Sequence, residues 1–458
     1  MKVVICGAGQ VGAGIARRLA AEENDITVID QNPQLVRQIT DTLDVKGLVG
    51  HGAHPDVLDK AGAKDSDLLI AVTYADEVNM VACQVADSLF GVPLKIARVR
   101  AQSYLHPAWR DLFAKEALPI DVIISPEIEV ARSILRRIDV PGAFDTLDFA
   151  DGMVQVVGAR IEEATPLVNV PLSQVTELFP DLTAIVGAIS RGGKLFVPRD
   201  SDHLEAGDDI YFIAGKRDVQ RTLDLVGAAQ NAGRRAIIVG GGNIGLHVAR
   251  ELERNHPGVK VKLIEQDKAR AEAAADELSR TVVLHGDGLD QELLAEADVS
   301  ETETIIAVTN DDETNILTSL IAKRAGAKRA ITLVNNQGYA PLVRSLGIDV
   351  FVDPRATTVS TILQHIRRGR IKALQSIEEG AAEIIEAEVL DTSPLMGKSL
   401  REIDLPDGII MGALLRKGKV EMPTGSTVFE TGDRVVVLAA AGVVKKVEQL
   451  FRVSLEYF

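Results

Sequence analysis

Cysteine is scarce: Cys6 and Cys83 are the only two in 458 residues. They lie far apart and match no metal-ligand or redox spacing, which argues against a disulfide scaffold and suits a reducing compartment. Both read as small core residues, Cys6 in the first strand and Cys83 in an amphipathic helix. Long apolar runs are missing too, since none approaches the roughly 20 residues of a membrane helix. The start MKVVICGAG has none of the charged, apolar and small-residue regions of a signal peptide, so the cytoplasm is the expected location. Positive charge is short: 50 Lys and Arg face 66 Asp and Glu, a formal net charge of −16. Phosphate neutralisation needs a basic face, so neither nucleic acid nor anionic lipid is an expected partner. No direct membrane insertion is expected, and any membrane association should run through a protein.

The chain also lacks the parts of an enzyme. It has no Walker lysine motif, no metal-ligand cluster and no nucleophile elbow, and we assign no catalytic and no metal-binding residue. A length of 458 with 46 % hydrophobic residues exceeds what one core supports, so two to four domains are expected.

What is present is a duplication. Gly7-Ala8-Gly9-Gln10-Val11-Gly12 follows a short apolar run, and a near copy, Gly240-Gly241-Gly242-Asn243-Ile244-Gly245, follows another about half a chain later. Asp30 stands 18 residues after Gly12, and Glu265 stands 20 after Gly245. Spacing near 20 is what a dinucleotide-binding βαβ unit needs, because the turn holds the pyrophosphate while the tip of the next strand reaches the ribose. In such a turn the first glycine allows the bend, the second lets the backbone approach the phosphates, and the third lets helix and strand pack closely. The helix beginning near Gln10 or Asn243 aims free N–H groups and its positive end at the anion. A carboxylate at Asp30 or Glu265 accepts from ribose hydroxyls and repels a 2′-phosphate, which favours NAD(H) or a simple adenine nucleotide such as ATP or ADP over NADP.

The copy extends beyond the turns. Thr27–Asp30, His51-Gly52, Ile70–Thr73 and Asp76–Asn79 recur in order as Lys262–Glu265, His285-Gly286, Ile306–Thr309 and Asp312–Asn315. Nearly continuous Ile, Val, Leu and Ala runs alternate with helical patterns, as in strands buried on both faces of a parallel sheet. Smaller β-rich segments follow each copy, and they correspond through Arg191-Gly-Gly-Lys194, Pro198 and Gly207-Asp208 against Arg416-Lys-Gly-Lys419, Pro423 and Gly432-Asp433. The Gly-Lys and Gly-Asp pairs read as hairpin turns. The expected fold class is α/β: two doubly wound parallel-sheet Rossmann-like domains, each followed by a smaller β-rich α+β domain. The expected boundaries are 1–124, a crossover helix or linker over 125–143, 144–228, 232–353, a second crossover over 354–371, and 372–458. Ser125-Pro126 and Asp353-Pro354 open the crossover helices, each of which either bridges to a neighbour or packs on its own sheet.

Thr73-Tyr74 and Thr309-Asn310 end the fourth strands at the edge where ligands of open α/β sheets sit, so a lining role is expected for them. Asp76 and Asp312 read as helix caps. His51 and His285 either touch the adenosine or are turn residues. Arg98 lies in the apolar run Leu94–Val99, where a guanidinium needs an anion nearby. Its counterpart is Leu333, so the first pocket should bind anionic nucleotides more tightly. The small segments, where a dehydrogenase would place its acid or base, hold one histidine, His203.

With GAGQVG, DITVID, GHGAHPDVL, VTYADEVNMVACQVA, GGGNIG and VTNDDETNI in this order, the chain resembles the TrkA family, bacterial peripheral proteins with two regulator-of-potassium-conductance repeats. The resemblance covers essentially the whole chain. It implies a cytosolic homo-oligomer, a tetramer of two-repeat chains, on the cytoplasmic side of the inner membrane beneath a potassium-transporting subunit of TrkH or TrkG type, with NAD(H) or ATP/ADP controlling flux. It places cofactor positions at Gly7 to Val11, Asp30, Thr73, Tyr74, Arg98, Gly240 to Ile244 and Glu265. The runner-up is an NAD-dependent oxidoreductase, and a third reading is an assembly scaffold with vestigial pockets.

Overall fold

A computed structural model describes residues 1–21, 24–114, 117–163, 165–179, 181–228, 235–366 and 371–451. The expected boundary at 232 and the end of the last segment beyond 451 lie outside the described residues.

Runs of Val, Ile, Leu and Ala form the first sheet: β1 (Lys2–Cys6), β2 (Asp25–Asp30), β3 (Lys46–Val49), β4 (Leu68–Ala71), β5 (Leu94–Arg98) and β6 (Val122–Ile124). All pairs are parallel, in the order β3-β2-β1-β4-β5-β6. The connecting helices are α1 (Gln10–Ala21), α2 (Pro33–Thr42), α3 (Pro55–Lys60) and α4 (Asp76–Phe90), with α5 (Pro126–Asp139) following the last strand. The order reverses between β1 and β4, which opens a crevice at the carboxyl ends of those strands. Cys6 and Cys83 sit in the core on one face of this sheet. Burial pushes the Cys6 thiol up to about 12 and raises Cys83 as well, so both act as small apolar residues.

An antiparallel sheet follows, built from β7 (Ala143–Phe149), β8 (Val154–Arg160), β9 (Ala184–Arg191), β10 (Lys194–Phe196) and β11 (Asp209–Gly215), with short helices α6 (Leu172–Leu178) and α7 (Val219–Leu225). The second parallel sheet repeats the first: β12 (Arg235–Val239), β13 (Lys260–Glu265), β14 (Val282–His285), β15 (Thr304–Ala307), β16 (Arg329–Leu333) and β17 (Val350–Val352), in the order β14-β13-β12-β15-β16-β17. Its helices are α8 (Asn243–Asn255), α9 (Lys268–Glu277), α10 (Gln291–Glu296), α11 (Asp312–Arg324), α12 (Ala340–Ser345) and α13 (Pro354–Ile366). A second antiparallel sheet of β18 (Ile371–Ile377), β19 (Ala382–Glu388), β20 (Ile409–Arg416), β21 (Lys419–Glu421) and β22 (Arg434–Ala440), with α14 (Val444–Leu450), ends the described chain.

Like sheets share a unit. Met1–Ile134 and Arg234–Ile366 form one compact unit, and Leu135–Gly233 and Arg367–Phe458 form the other. Within the first unit the closing helix of the second repeat crosses over. Ile362, Leu363 and Ile366 of α13 are buried with Val3, Ile15, Leu19 and Ile70 of the first repeat, and α13 lies along α1. Asp353 caps α13 by accepting from the amides of Arg355 at 2.8 Å and Ala356 at 3.2 Å. Of the two readings of the crossover helices, bridging is the one α13 adopts.

Within the second unit, one apolar layer joins both antiparallel sheets, with Val156, Ala188 and Ile213 from one and Ile384, Ala413 and Leu438 from the other. The Gly-Lys turns are tight hairpins, with positive φ at Gly192 and Gly193 and at Lys417 and Gly418. The Gly-Asp pairs are also turns, closed by the Asp208 amide on the Glu205 carbonyl and the Asp433 amide on the Glu430 carbonyl, but not hairpins between paired strands. Gly207-Asp208 and Gly432-Asp433 sit at the entries to β11 and β22, where Asp208 and Asp433 each take a two-point hydrogen bond from Arg191 or Arg416. Their carboxylates are nearly sealed from solvent, and a burial that deep requires the paired guanidinium.

A methyl group added at Gly412 would come within 2.1 Å of Ile213 Cδ1. Gly412→Ala should therefore cost about 1–3 kcal/mol, the range for overpacking a filled core, read as a lower urea midpoint. An unchanged midpoint would mean that the Ile213 Cδ1 methyl moves aside without cost.

Candidate functional site

The glycine turns are dictated by contacts at atomic range. Gly7 has φ +114° and Gly240 has φ +109°, a region that side chains strongly disfavour. A Cβ on Gly12 would stand 1.8 Å from the carbonyl oxygen of Gly7, and one on Gly245 would stand 1.9 Å from that of Gly240. The first and third glycines are thus explained by the fold alone. Gly9 and Gly242 are not: their φ values are ordinary, and nothing lies within 4 Å of a Cβ at either. Backbone strain and packing leave these two glycines unexplained, and both line a cavity. A missing side chain that the protein does not need is what a phosphate cradle requires.

That cavity, about 1440 Å³, is continuous across the two repeats of the first unit. Gly7, Gly9, Gln10, Val11, Asp30, Thr73, Tyr74 and Arg98 reach its wall, as do Gly240, Gly242, Asn243, Ile244, Glu265, Thr309 and Asn310. The other expected positions do not. Ala8, Gly12, Gly241 and Gly245 are buried behind the turns. His51 stacks on His54 with ring centroids 4.3 Å apart, and its Nδ1 accepts from the Ala53 amide. His285 reaches the Gln266 carbonyl instead, at 3.1 Å. Both histidines thus make turn contacts and stand outside the cavity wall.

The two acids hold the turns they follow. Asp30 Oδ2 accepts from the Ala8 amide at 2.7 Å and Oδ1 from the Asn32 amide at 2.8 Å. Glu265 Oε2 accepts from the Gly241 amide at 2.6 Å and Oε1 from Asp267 at 2.8 Å. Each carboxylate oxygen keeps acceptor capacity beyond its amide, enough for ribose hydroxyls. The repeats solve the fit differently. The shorter Asp30 sits opposite Ala8, whereas a Cβ at Gly241 would press within 3.1 Å of Glu265 Oε2.

Beyond the turn, a buried asparagine joins two strand ends. Asn79 Oδ1 accepts from the amide and hydroxyl of Thr73 at 2.8 and 2.7 Å, while Nδ2 donates to the carbonyls of Thr73 and Arg98 at 3.2 and 2.9 Å. Asn315 repeats the pattern on Thr309 and Leu333. Nothing in the spacing identified this role, because an Asn in a first helical turn ordinarily faces water. The expected capping role of the neighbouring acids is corrected. Asp76 accepts from the amides of Arg100 and Ala101, and Asp312 from Asn335 and Asn336, so both secure the loop after the fifth strand rather than their own helix. Asp311 is the cap of α11, and Ala75 precedes α4 without a side-chain bond.

Arg98 ends β5 and Leu333 ends β16, and their carbonyls take the equivalent asparagine bond, so the pockets differ in one cation at the same place. The Arg98 Nε is buried without a hydrogen-bond partner. Burial, then the positive charge of Arg100, lowers the Arg98 pKa, which marks a cation short of compensation. Arg100 is itself engaged: its Nε donates to Glu127 at 2.9 Å, and its guanidinium lies 5.7 Å from the Tyr74 ring centroid. Arg100, Glu127, Arg270, Asn335 and Arg355 also line the cavity, and the sequence carried no signal for them.

The TrkA-N domain family matches residues 3–126 and 236–354, and the TrkA-C domain family matches 156–227 and 384–452. The chain belongs to the TrkA family. It is 55 % identical over 458 residues to the Trk system potassium uptake protein TrkA of Azorhizobium caulinodans, covering all of both chains, and 42 % identical over 462 residues to that of Halomonas elongata, again covering all of both. These relatives are named for potassium uptake and not for a chemical reaction. Among solved structures, the GsuK channel superposes with a TM-score of 0.60 at 18 % identity, covering 98 % of this chain and 78 % of that one, and the GsuK RCK domain with 0.58, covering 98 % and 94 %. At that identity they show the shared fold: paired Rossmann-like sheets with smaller antiparallel ones.

Removing the Asn79 amide strands the Thr73 amide and the Arg98 carbonyl. Asn79→Ala should lose about 2–4 kcal/mol in denaturant unfolding; a loss below about 1 kcal/mol would show that the tie is dispensable. Gly241→Ala should weaken nucleotide binding at the second pocket several-fold by displacing Glu265, while Ala8→Gly leaves the first pocket within about twofold; equal effects in calorimetric titration would refute the pairing of acid length with turn residue.

Proposed function

We propose that this chain is the nucleotide-binding regulatory subunit of a Trk-type potassium uptake system, in which NAD(H) or ATP/ADP binding changes the shape of an oligomer that controls a potassium-transporting membrane subunit. The observation that carries the reading is the pair Gly9 and Gly242, whose missing side chains serve neither fold nor packing and open on the cavity. The family supports the potassium side of the reading, and a neighbour of the same fold, with a TM-score of 0.59, is a GsuK channel bound to NAD.

In this reading the turns Gly7 to Val11 and Gly240 to Ile244 take the phosphates, and Asp30 and Glu265 take the ribose hydroxyls. Thr73, Tyr74, Thr309 and Asn310 line the far half, with Arg98 compensating charge in the first pocket only. The nucleotide supplies no chemistry; it acts by binding one arrangement better than another. Moving a gate from mostly shut to mostly open takes on the order of 5 kcal/mol of differential binding, which several pockets in an oligomer can share. Among the described residues no helix is long and apolar enough to cross a membrane. A partner of TrkH or TrkG type, a tetrameric assembly and a place on the cytoplasmic face of the inner membrane complete the proposal.

Titrating NADH, NAD, ATP and ADP into the protein and its Asp30→Ala and Glu265→Ala variants tests it. Binding without turnover is expected, weakened about tenfold or more at the altered pocket, with ATP tighter at the first pocket than at the second. Silence towards every nucleotide, or steady oxidation of NADH, would overturn the reading in favour of a scaffold or an oxidoreductase.

A further inference from the structure

The crossover helices differ at one position in a way that the cavity makes significant. Glu127 follows Pro126 at the start of α5, and Arg355 follows Pro354 at the start of α13. Both line the shared cavity with opposite charge. Glu127 is bound to Arg100. The half-buried guanidinium of Arg355 makes no hydrogen bond or ion pair to any described residue; only its backbone amide is bonded, to Asp353.

Packing places Arg355 beside the pocket of the other repeat. Val359, one turn into α13, comes within 3.0 Å of a Cβ at Gly14, one turn into α1, and Val11 and Val359 pack on the same apolar cluster. The first turns of both helices, Gln10 and Val11 on one side and Pro354, Arg355 and Thr358 on the other, line the cavity. The amino ends of α1 and α13 are therefore neighbours, which sets Arg355 of the second repeat on the side of the first repeat's glycine turn. Arg98 stands on that same wall, its buried Nε likewise without a hydrogen-bond partner, and two guanidiniums short of partners on one cavity suit an anion with more than one charge.

We infer that Arg355 of the second repeat and Arg98 of the first together hold the terminal phosphates of a nucleoside polyphosphate seated on the Gly7–Gly12 turn. This rests on the nucleotide-binding reading and adds the residue that favours a long phosphate chain. Ligand bound in this way ties α1 to α13, and so one repeat to the other.

Calorimetric titration of AMP, ADP and ATP into Glu265→Ala, whose second pocket is weakened, reports chiefly on the first pocket. Affinity should rise from AMP to ATP. Adding Arg355→Gln should lower ATP affinity about tenfold or more and AMP affinity less than twofold, while Arg355→Lys keeps much of the ATP preference. A merely structural role for Arg355 would weaken AMP and ATP alike and lower Tm without ligand; that result, or an unchanged ATP-to-AMP ratio, overturns the inference. If wild-type protein binds none of the three, the nucleotide reading fails first.

Discussion

The Cα of each third glycine rests against the carbonyl oxygen of the first, and the crevice exists because of that approach. With 1.8 Å from a hypothetical Cβ at Gly12 to the Gly7 oxygen, no side chain is admissible, so α1 begins as close to β1 as backbone permits. The amino end of the helix then faces the same space as the second glycine. Asp30 fixes the turn from the side through the Ala8 amide, and Asn79 fixes the far edge by closing the ends of β4 and β5. Each of these uses a backbone group that the end of a parallel sheet would leave unpaired, so the binding edge is built from the obligations of the fold.

Much of this was legible because it is periodic or obligatory. Apolar runs of four or five residues gave the strands, and glycine spacing with an acid about 20 residues on gave the turn and its strand tip. Aligning the copies placed Leu333 opposite Arg98, and the structure sets both at the ends of equivalent strands. The missed features depend on partners distant in the chain. Asp76 looks like a cap because Asp at a helix start usually is one; its actual partners, Arg100 and Ala101, belong to a loop 24 and 25 residues away. Asp208 and Asp433 follow glycines as hairpin residues do, yet each is committed to an arginine on a neighbouring strand. Arg355 has no local signature, since its position follows from how one repeat's helix lies on the other's.

The repeats have diverged by exchange rather than by loss. In the first, buried Lys95 on β5 bridges Asp87 of α4 and Asp121. In the second, the cation has moved to the helix: Lys323 of α11 pairs with Asp349, and Ala330 occupies the strand position. The charge balance is kept while its carrier changes. At the cavity the three exchanged positions likewise sum to one positive charge in each repeat, but the carriers differ: Arg98 becomes Leu333, Arg100 becomes Asn335 and Glu127 becomes Arg355, leaving two sheets of like topology with unlike walls.

The seating of α13 on the first sheet also has a consequence for biosynthesis. The apolar surface around Val3, Ile15 and Leu19 is closed by Ile362, Leu363 and Ile366, which the ribosome makes only after the whole second sheet. The amino-terminal domain thus emerges early but waits with one side uncovered, and shortening the gene between the copies would leave that side bare for good.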